Sequence, residues 1–479
     1  MFKISLSNAH LLFALICIFN LIVYWPSLKH MPRGDHLSYL GQVASQKDWI
    51  TLVIRNMEIN RGGNLFDGDT WLFRPFLYAL LGAERFLFGY SFYLWQLAGV
   101  VLHLFFLWSL WKLLTLINEN WVAFLFTAFF SVSPVAMDLV IWSHINGYLV
   151  ALILMFLAVR NCLLFLRQQI TFKKMLCINV LMLTVASLFC EFSVFFTMGL
   201  IIFLWRTWPQ NREDKKWIGM LFIPIIVFFV FNLANWLTLY YTSLVKQGGY
   251  VIQGAMLSRG LVSFPVVFLR WFSMVAFPFQ YEICIGERNI VHASKYFNLL
   301  SVLNIFLFIK GLFILEKNRK LLKGRGEARN LFLLFIGLVL ILCFVFSLFR
   351  IGPRSISYLR QSLYWAYFFW AFLITAIYVL VSHGRSIVFS RLSFSNKAVV
   401  SICLILIGCY GWTVFGILQE RAIQDMDATR LIASIEKSRQ YSKDGSLDLK
   451  QFLTDPGNRK GDFFGNKSLI EILYPFAKM

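Results

Sequence analysis

An uncharged apolar run, LLFALICIFNLIVYW at residues 11–25, decides what kind of fold this chain can adopt. With its apolar neighbours it reaches the roughly 20 residues that a helix needs to cross a bilayer. One lysine, Lys3, precedes the run, and no small-residue cleavage site follows it. We therefore expect an uncleaved first membrane span rather than a removable signal peptide.

The composition of the whole chain extends this interpretation. The 479 residues are 59% hydrophobic and only 14% charged, whereas soluble proteins average about 45–50% apolar and about 25% charged residues. A soluble protein of this composition would expose large apolar patches and aggregate. The net charge of +21 does not indicate nucleic-acid binding, because the basic residues are spread over short loops between apolar runs, as membrane insertion favours. The eight cysteines form no CxxC or Cys/His cluster, which argues against a structural metal or a disulfide framework.

Apolar runs of sufficient length predict an all-α polytopic membrane protein with eleven spans. The predicted spans are 8–28, 92–113, 119–133, 145–166, 174–190, 191–206, 217–241, 298–315, 330–349, 361–382 and 398–418.

Basic residues set the predicted orientation. The strongly basic segment 316–329 belongs in the cytoplasm, which requires the proline-containing stretch 261–279 to lie in the outer interface instead of crossing. The N-terminus is then cytoplasmic and the C-terminus external. This prediction gives a membrane domain over 1–418 with external loops 29–91 and 242–297, and an extracytoplasmic tail over 419–479.

The first external loop opens with MPRGDHLSYL at residues 31–40, where Pro32 and Gly34 end the first span. This places Asp35, followed by His36, at the outer membrane surface. Two offset apolar faces further along predict two short interfacial helices in this loop. Asp35 either caps the helix that begins at His36 or serves the chemistry of an outer site.

Other polar residues stand at exposed or costly positions. Arg74 precedes Pro75, a residue suited to opening a helix, and binds either lipid headgroups or a ligand. His103 lies inside the second span, where a polar group needs a partner, and is either a packing residue or part of a site. Asp138 and His144 lie in the predicted external turn between spans three and four. Glu191, between spans five and six, is either a structural ion-pair partner or a cavity residue.

The loop FRIGPRSISYLR at residues 349–360 carries three arginines and no acid, although the topology makes it external. Basic excess outside opposes the usual insertion bias. Either Arg350, Arg354 and Arg360 reach ordinary headgroups, or their planar guanidinium groups bind a specific phosphate.

Taken in order along the chain, these residues resemble the GT-C glycosyltransferases, and within them the protein O-mannosyltransferases. The likeness covers roughly residues 10–380. The features that carry it are Asp35 after span one, Arg74-Pro75, His103, the turn from Ser133 through Asp138 and Trp142 to Gly147, Glu191, Phe277-Pro278 before Tyr281, and Arg354 with Tyr358 before a late span.

The resemblance implies a GT-C-like helical bundle that takes a sugar from a polyprenyl-phosphate carrier and places it on a glycan, lipid or protein acceptor at the outer face. It makes Asp35 the catalytic base. We assign the donor phosphate to Arg350, Arg354, Tyr358 and Arg360. We assign the surrounding pocket to His36, Arg74, His103, Asp138, His144 and Glu191.

Elementary chemistry agrees with a single base. A departing phosphate carries its own charge, so no acid is needed to protonate it, and one carboxylate that accepts a hydroxyl proton suffices. Arginines stabilise the departing group. No ligand cluster requires a metal, although a divalent cation is compatible with this chemistry. The short loops favour a bacterial inner membrane.

Three other functions fit the sequence. Membrane transporters and flippases of lipid-linked glycans share the composition, but they often have paired repeats with broken helices and ionisable groups at the midplane. In this chain the polar groups concentrate outside, and no repeat is visible. A glycan polymerase or ligase of another fold is the enzymatic alternative. The third is a silent partner subunit. It is suggested by Asp35-His36 and Cys190-Glu191, where the family usually has paired acids and a Lys-Glu.

Overall fold

The computed structural model describes residues 7–30, 74–89, 91–117, 120–132, 134–190, 192–207, 213–241 and 407–423, with Ser401, Leu404, Ile405 and Asp425. These residues are helical almost throughout and contain no strand. The α-helices are α1 (Ser7–Tyr24), α2 (Pro75–Phe88), α3 (Phe92–Ile117), α4 (Asn120–Ser131), α5 (Pro134–Ile141), α6 (Asn146–Leu166), α7 (Phe172–Phe189), α8 (Phe192–Thr207) and α9 (Ile223–Tyr241), followed by helix 407–423. Shorter 3-10 helices cover Trp25–Lys29, Ser143–Ile145 and Glu213–Phe222.

Four helical segments of the described part are long and apolar enough to cross a membrane. They are His10–Lys29, Phe92–Leu116, Ser143–Leu166 and Phe172–Phe189. They coincide with the predicted first, second, fourth and fifth spans. The predicted third and sixth spans fall on α4 and α8, which are shorter. Predicted spans 298–315, 330–349 and 361–382 lie outside the described residues, so the total of eleven stays a prediction.

The outward faces of these helices are apolar. On α1, the exposed side chains Leu11, Leu15, Ile18 and Ile22 recur at helical spacing and form one stripe. On α9, a similar stripe consists of Ile226, Phe229, Val230 and Leu233. Apolar surface of this kind is stable against lipid and unfavourable in water. The helices and their exposed stripes therefore indicate a helical membrane protein.

Helix α1 packs antiparallel to α3. Phe13 lies 6.0 Å from Trp111 between ring centroids, and Tyr24 lies 5.3 Å from the ring of His103, nearer the start of α3. The hydroxyl of Tyr24 also donates to the backbone carbonyl of Ser131, the last residue of α4, at 3.3 Å. The C-terminal ends of α1 and α4 are thus neighbours.

Helices α6 and α7 form an antiparallel hairpin with a tight connection. Gln168 adopts a left-handed φ of 59°, and the amides of Gln168 and Gln169 donate to Phe165 and Leu164. This pair of bonds is the Schellman arrangement that ends many helices. Thr171 then caps α7 by accepting from the amide of Lys174. The connection between the two helices therefore comprises only residues 167–171, between the end of α6 at Leu166 and the start of α7 at Phe172.

Helix α2 lies against the ends of this hairpin. As the sequence predicted, the helix begins at Pro75, whose missing amide hydrogen costs nothing in the first turn. It ends at Gly89, which has a φ of 55° that suits glycine. The two interfacial helices expected earlier in the same loop lie outside the described residues.

The predicted seventh span, 217–241, differs from a single α-helix. The structure has a 3-10 helix over Glu213–Phe222 followed by α9 from Ile223. Pro224 sits in the first turn of α9, where it lacks an amide hydrogen to continue the preceding helix. Hydropathy detects the apolar run but not the change of helix type within it.

Helix 407–423 packs beside α1 and runs parallel to it. A Cβ on Gly411 would lie 2.5 Å from the ring of Phe19, and further along both helices His30 Nε2 bonds the carbonyl of Leu418 at 2.8 Å. Tyr410 also meets Phe129 of α4 edge to face, with ring centroids 5.0 Å apart. The helix overlaps the predicted last span, 398–418, and extends beyond its end.

Candidate functional site

The structure describes only some of the predicted site residues. Arg74, His103 and His144 are described with their side chains, and Asp138 is described only as part of the backbone of α5. The other predicted residues lie outside the described part of the chain: Asp35, His36, Glu191, Arg350, Arg354, Tyr358 and Arg360. The predicted catalytic base and donor-phosphate residues therefore stay predictions.

The Arg74-Pro75 motif lies at the start of α6. The guanidinium carbon of Arg74, the residue before α2, lies 5.5 Å from the ring centroid of Tyr148. This is the geometry of a cation–π contact. Arg74 is half-buried and Tyr148 is buried. The contact brings the Arg-Pro motif to the turn that precedes α6, although 73 residues separate the two in sequence.

The predicted external turn after α4 is itself largely helical. Asp138 lies within α5, and the 3-10 helix Ser143–Ile145 leads from there into α6. Trp142 and His144 stack with ring centroids 5.6 Å apart. His144 thus lies two residues before Asn146, next to the contact between Arg74 and Tyr148 along the chain.

A buried carboxyl group that the sequence analysis missed lies in the same place. Glu84 of α2 is 5% exposed, and its Oε1 accepts a hydrogen bond from Nδ2 of Asn146 at 2.8 Å. Burial raises the pKa of Glu84 to about 8, against a smaller lowering effect of the Asn146 hydrogen bond. We call Arg74, Glu84, Asn146 and Tyr148 the α2–α6 cluster.

A pattern in the sequence could have identified Glu84. Leu77, Leu81 and Glu84 are spaced four and three residues apart, which places them on one helix face. All three are buried, whereas Phe86 and Leu87 are exposed. An acid on the buried face of an apolar helix needs a polar partner. What the sequence does not reveal is that Asn146, far along the chain, provides it.

Close helix packing surrounds the α2–α6 cluster. A Cβ on Gly147 would lie 2.7 Å from side-chain atoms of Leu77 and Phe189, and a Cβ on Gly99 would meet the backbone oxygen of Val140. Gln96 of α3 donates from Nε2 to the carbonyl of Ile141 at the end of α5, at 3.2 Å. Small residues at these positions let α2, α3 and α5 approach the start of α6 closely.

His103 belongs to a different group of contacts. It is 1% exposed, and its Nε2 bonds the carbonyl of Ser131 at 3.3 Å, the same oxygen that Tyr24 contacts. Its Nδ1 is buried and has no hydrogen-bond partner among the described residues. The ring packs between Tyr24 and Phe106. His103 therefore joins α3 to α1 and α4, whereas the α2–α6 cluster joins α2 to α6.

Within the residues that the structure describes, no group of three His, Cys, Asp or Glu side chains could hold a metal ion. The chemistry available there is that of a half-buried cation beside a tyrosine, with a buried carboxyl held by an amide. A cation at such a place can bind a phosphate or a carboxylate.

The fold and this cluster define a helical membrane protein in which buried polar groups gather where α2 meets the start of α6. No known protein family, no curated protein and no solved structure matches the chain.

Proposed function

We propose that this protein is an integral membrane glycosyltransferase of the GT-C type. It moves a sugar from a polyprenyl-phosphate carrier to a glycan, lipid or protein acceptor at the extracytoplasmic face. The observation that carries the proposal is the contact of Arg74 with Tyr148, because it brings the Arg74-Pro75 motif to the residue that directly follows the turn ending at Gly147, another feature on which the family resemblance rests.

The arrangement of helix ends supports a site at one end of the bundle. The end of α1 adjoins the end of α4 through Tyr24 and Ser131, and α4 leads through α5 to the start of α6. The start of α2 lies there too, through the α2–α6 cluster. Asp35 follows His30 by only five residues, and Glu191 comes directly after Cys190 at the end of α7. The last described residues before the two predicted acids, His30 and Cys190, thus lie at the same end of the bundle.

The proposed reaction needs one proton acceptor. Asp35 takes the proton of an acceptor hydroxyl, whose oxygen attacks the anomeric carbon of the donor sugar. The bond between that carbon and the phosphate oxygen breaks, and polyprenyl phosphate leaves with the bonding electron pair. Arg350, Arg354, Arg360 and Tyr358 stabilise the charge on the departing phosphate. Arg74 supplies a further cation at the edge of this site.

We also propose eleven spans with a cytoplasmic N-terminus and an extracytoplasmic C-terminus in a bacterial inner membrane. Helices α1 and 407–423 run parallel. If both cross the bilayer in the same direction, the number of spans from the first to the last is odd. This favours the assignment of 261–279 to the outer interface, since one more crossing would make the number even.

The test is sugar transfer by the purified protein in liposomes that contain mannosyl- or glucosyl-phosphoryl polyprenol and a membrane extract as acceptor. Asp35→Asn should lower transfer by at least about 10²-fold, the scale of a lost general base. Asp48→Asn, which removes another acid of the same loop, is the matched control and should transfer at the wild-type rate. Equal rates in wild type and Asp35→Asn would exclude Asp35 as the base.

The same liposomes distinguish a flippase from a transferase. A flippase exchanges labelled lipid-linked sugar across the bilayer without forming a new glycosidic bond. Label that changes leaflet while every sugar stays on its carrier would therefore contradict the proposed function.

A further inference from the structure

The bond between Glu84 and Asn146 uses one half of the Asn146 amide. Nδ2 of Asn146 donates to Oε1 of Glu84 at 2.8 Å, while Oδ1 of Asn146 is buried without a hydrogen-bond partner among the described residues. Asn146 is 1% exposed. A buried acceptor left without a donor is costly, so a neighbouring group that can donate to Oδ1 is favoured.

A protonated carboxyl group supplies that donor. A carboxylic acid has one acceptor and one O–H donor, and a primary amide has the complementary pair. Joined face to face, the two groups satisfy each other through two hydrogen bonds. An ionised Glu84 has acceptors only and would leave Oδ1 unsatisfied.

The surroundings of Glu84 favour the neutral acid. Helix α2 itself carries Tyr78 and Arg85. The charged or titratable residues of the helices packed against it are Tyr93, His103 and Lys112 on α3, Tyr148, Arg160 and Cys162 on α6, and Lys173, Lys174 and Cys177 on α7. Arg74, His144 and Cys190 flank these helices. Among the described residues, the hydrogen-bond partner of Glu84 is Asn146. Burial raises the pKa of Glu84 to about 8, which agrees with this geometry.

The position of this bond along both helices suggests what it does. Glu84 lies ten residues after Arg74, near the other end of α2, and Asn146 lies two residues before Tyr148 on α6. The bond therefore holds one end of α2 against the start of α6, while Arg74 at the other end of α2 meets Tyr148. Gly147, between the two α6 residues, leaves room for Leu77 of α2 to pack closely.

We propose that Glu84 and Asn146 form a neutral acid–amide pair, joined by two hydrogen bonds, that positions Arg74 beside Tyr148. Glu84 is a positioning residue and not a base or an acid of the reaction. The purpose of this positioning, to present Arg74 to the lipid-phosphate donor, rests on the proposed function. The existence of the Glu84–Asn146 pair does not rest on the proposed function.

Infrared spectroscopy of the full-length protein in liposomes tests the pair without any assay of activity. The spectrum of the wild type minus that of Glu84→Gln at pH 7 should contain the C=O stretching band of a protonated carboxylic acid. Glu420→Gln, which removes an exposed acid on helix 407–423, should leave this band unchanged. A difference spectrum with carboxylate bands in place of the acid band would overturn the neutral pair.

Crosslinking tests the positioning. In Arg74→Cys/Tyr148→Cys, a short bifunctional thiol reagent should join the two cysteines, as detected by mass spectrometry of the linked peptides. Adding Glu84→Gln, which preserves both hydrogen bonds as an amide pair, should leave the rate within about twofold. Adding Glu84→Leu should slow it at least about fivefold, the scale of a lost buried hydrogen bond. Equal rates with Glu84→Leu and Glu84→Gln would show that the pair does not position Arg74.

Transfer kinetics then separate the inference from the proposed function. If the protein is a transferase, Glu84→Gln should retain kcat/KM, and Glu84→Leu should raise the KM for the donor about tenfold with little change in kcat. Glu84→Gln as inactive as Glu84→Leu would make Glu84 a proton-transfer residue and overturn the inference. If the wild type transfers no sugar at all, the proposed function fails, and infrared spectroscopy and crosslinking still decide on the pair.

Discussion

A single methyl group at residue 99 should disturb the packing that surrounds the α2–α6 cluster. A Cβ on Gly99 meets the backbone oxygen of Val140, which cannot rotate away, so α3 and α5 must separate. We expect Gly99→Ala to destabilise the protein by about 1–3 kcal/mol, the cost of overpacking a core. The measurement is thermal unfolding in detergent, followed by size-exclusion chromatography.

Gly416→Ala is the matched control for this change. Gly416 lies in helix 407–423, and a Cβ there has no atom within 4 Å. Since alanine is the better helix former by about 1 kcal/mol, this variant should melt at or above the wild-type temperature. If Gly99→Ala melts at the same temperature as Gly416→Ala, α3 does not approach Val140 as closely as the structure indicates.

The buried carboxyl of Glu84 predicts how stability depends on pH. Its pKa is about 8 in the folded protein, against 4.5 for an ordinary glutamate, because burial disfavours the charged form. The folded state therefore holds a proton that the unfolded state releases. The stability that Glu84 contributes is full below about pH 4.5 and declines as the pH rises to about 8.

Glu84→Gln should flatten this part of the profile, since an amide does not titrate. Melting temperatures of the two proteins between pH 5 and pH 9 are the measurement. A wild-type profile that rises over this interval relative to Glu84→Gln would contradict a raised pKa at Glu84.

Sequence reasoning at the residue scale worked where a motif was short and local. It predicted that Pro75 opens a helix, and α2 begins there. It did not single out Glu84 or Asn146, although both lie within or beside segments that it considered. Their importance comes from a hydrogen bond between two helices. The two residues that form it are 62 positions apart in the sequence, and a single sequence does not reveal such pairs.

At the scale of helices, Asn179 is the main polar connection between α6 and α7. Its Nδ2 donates to the carbonyl of Ala158 at 3.1 Å, and its Oδ1 accepts from Asn161 at 3.2 Å. We expect Asn179→Leu to destabilise the hairpin by about 1–2 kcal/mol, the upper range for hydrogen bonds between membrane helices. Unfolding of the purified protein in a detergent and denaturant series is the measurement.

Thr184→Val is the control on the same helix. The Thr184 hydroxyl donates to Val180 within α7 and joins no second helix. This variant should stay within about 0.5 kcal/mol of the wild type, as substitutions away from key contacts do. A loss of stability as large as that of Asn179→Leu would mean that the hydrogen bonds between α6 and α7 stabilise the protein no more than a hydrogen bond within α7.

Helix prediction succeeded or failed for physical reasons that differ from one segment to the next. The spans 145–166 and 174–190 agree with α6 and α7 within two residues, because their apolar runs end at turn signals and charged residues. The predicted span 217–241 covers two helix types, the end of the 3-10 helix Glu213–Phe222 and then α9. Both helix types bury apolar residues, so hydropathy does not separate them. The residues of the short helix α5 were expected to form part of a turn, because hydropathy alone does not identify so short a helix.

For the whole molecule, the parallel packing of α1 and helix 407–423 makes a prediction about topology. If both cross the membrane, the N-terminus and the residues after 425 lie on opposite sides. A fluorescent reporter that matures only in the cytoplasm should therefore fluoresce when it is fused before residue 7. An alkaline phosphatase that is active only outside should be active when fused after residue 425. Both termini on the same side would contradict the parallel arrangement and the odd number of spans.

The composition was enough to predict a membrane protein, because a soluble protein with an apolar content of 59% would expose large apolar patches and aggregate. The predicted site did not follow in the same way. It depends on how segments near residues 35, 191 and 354 meet in space, and these positions lie outside the described residues. What the structure adds is that Arg74 lies beside Tyr148 at the start of α6.

An experimental structure of the full chain with bound polyprenyl phosphate in a lipid nanodisc is the most direct test of the central claim. We predict one extracytoplasmic cavity in which Arg354 bonds the phosphate, the Asp35 carboxylate faces the position of the transferred sugar, and the α2–α6 cluster forms part of the wall. A phosphate bound elsewhere, or Asp35 and Arg354 on opposite leaflets, would contradict the account.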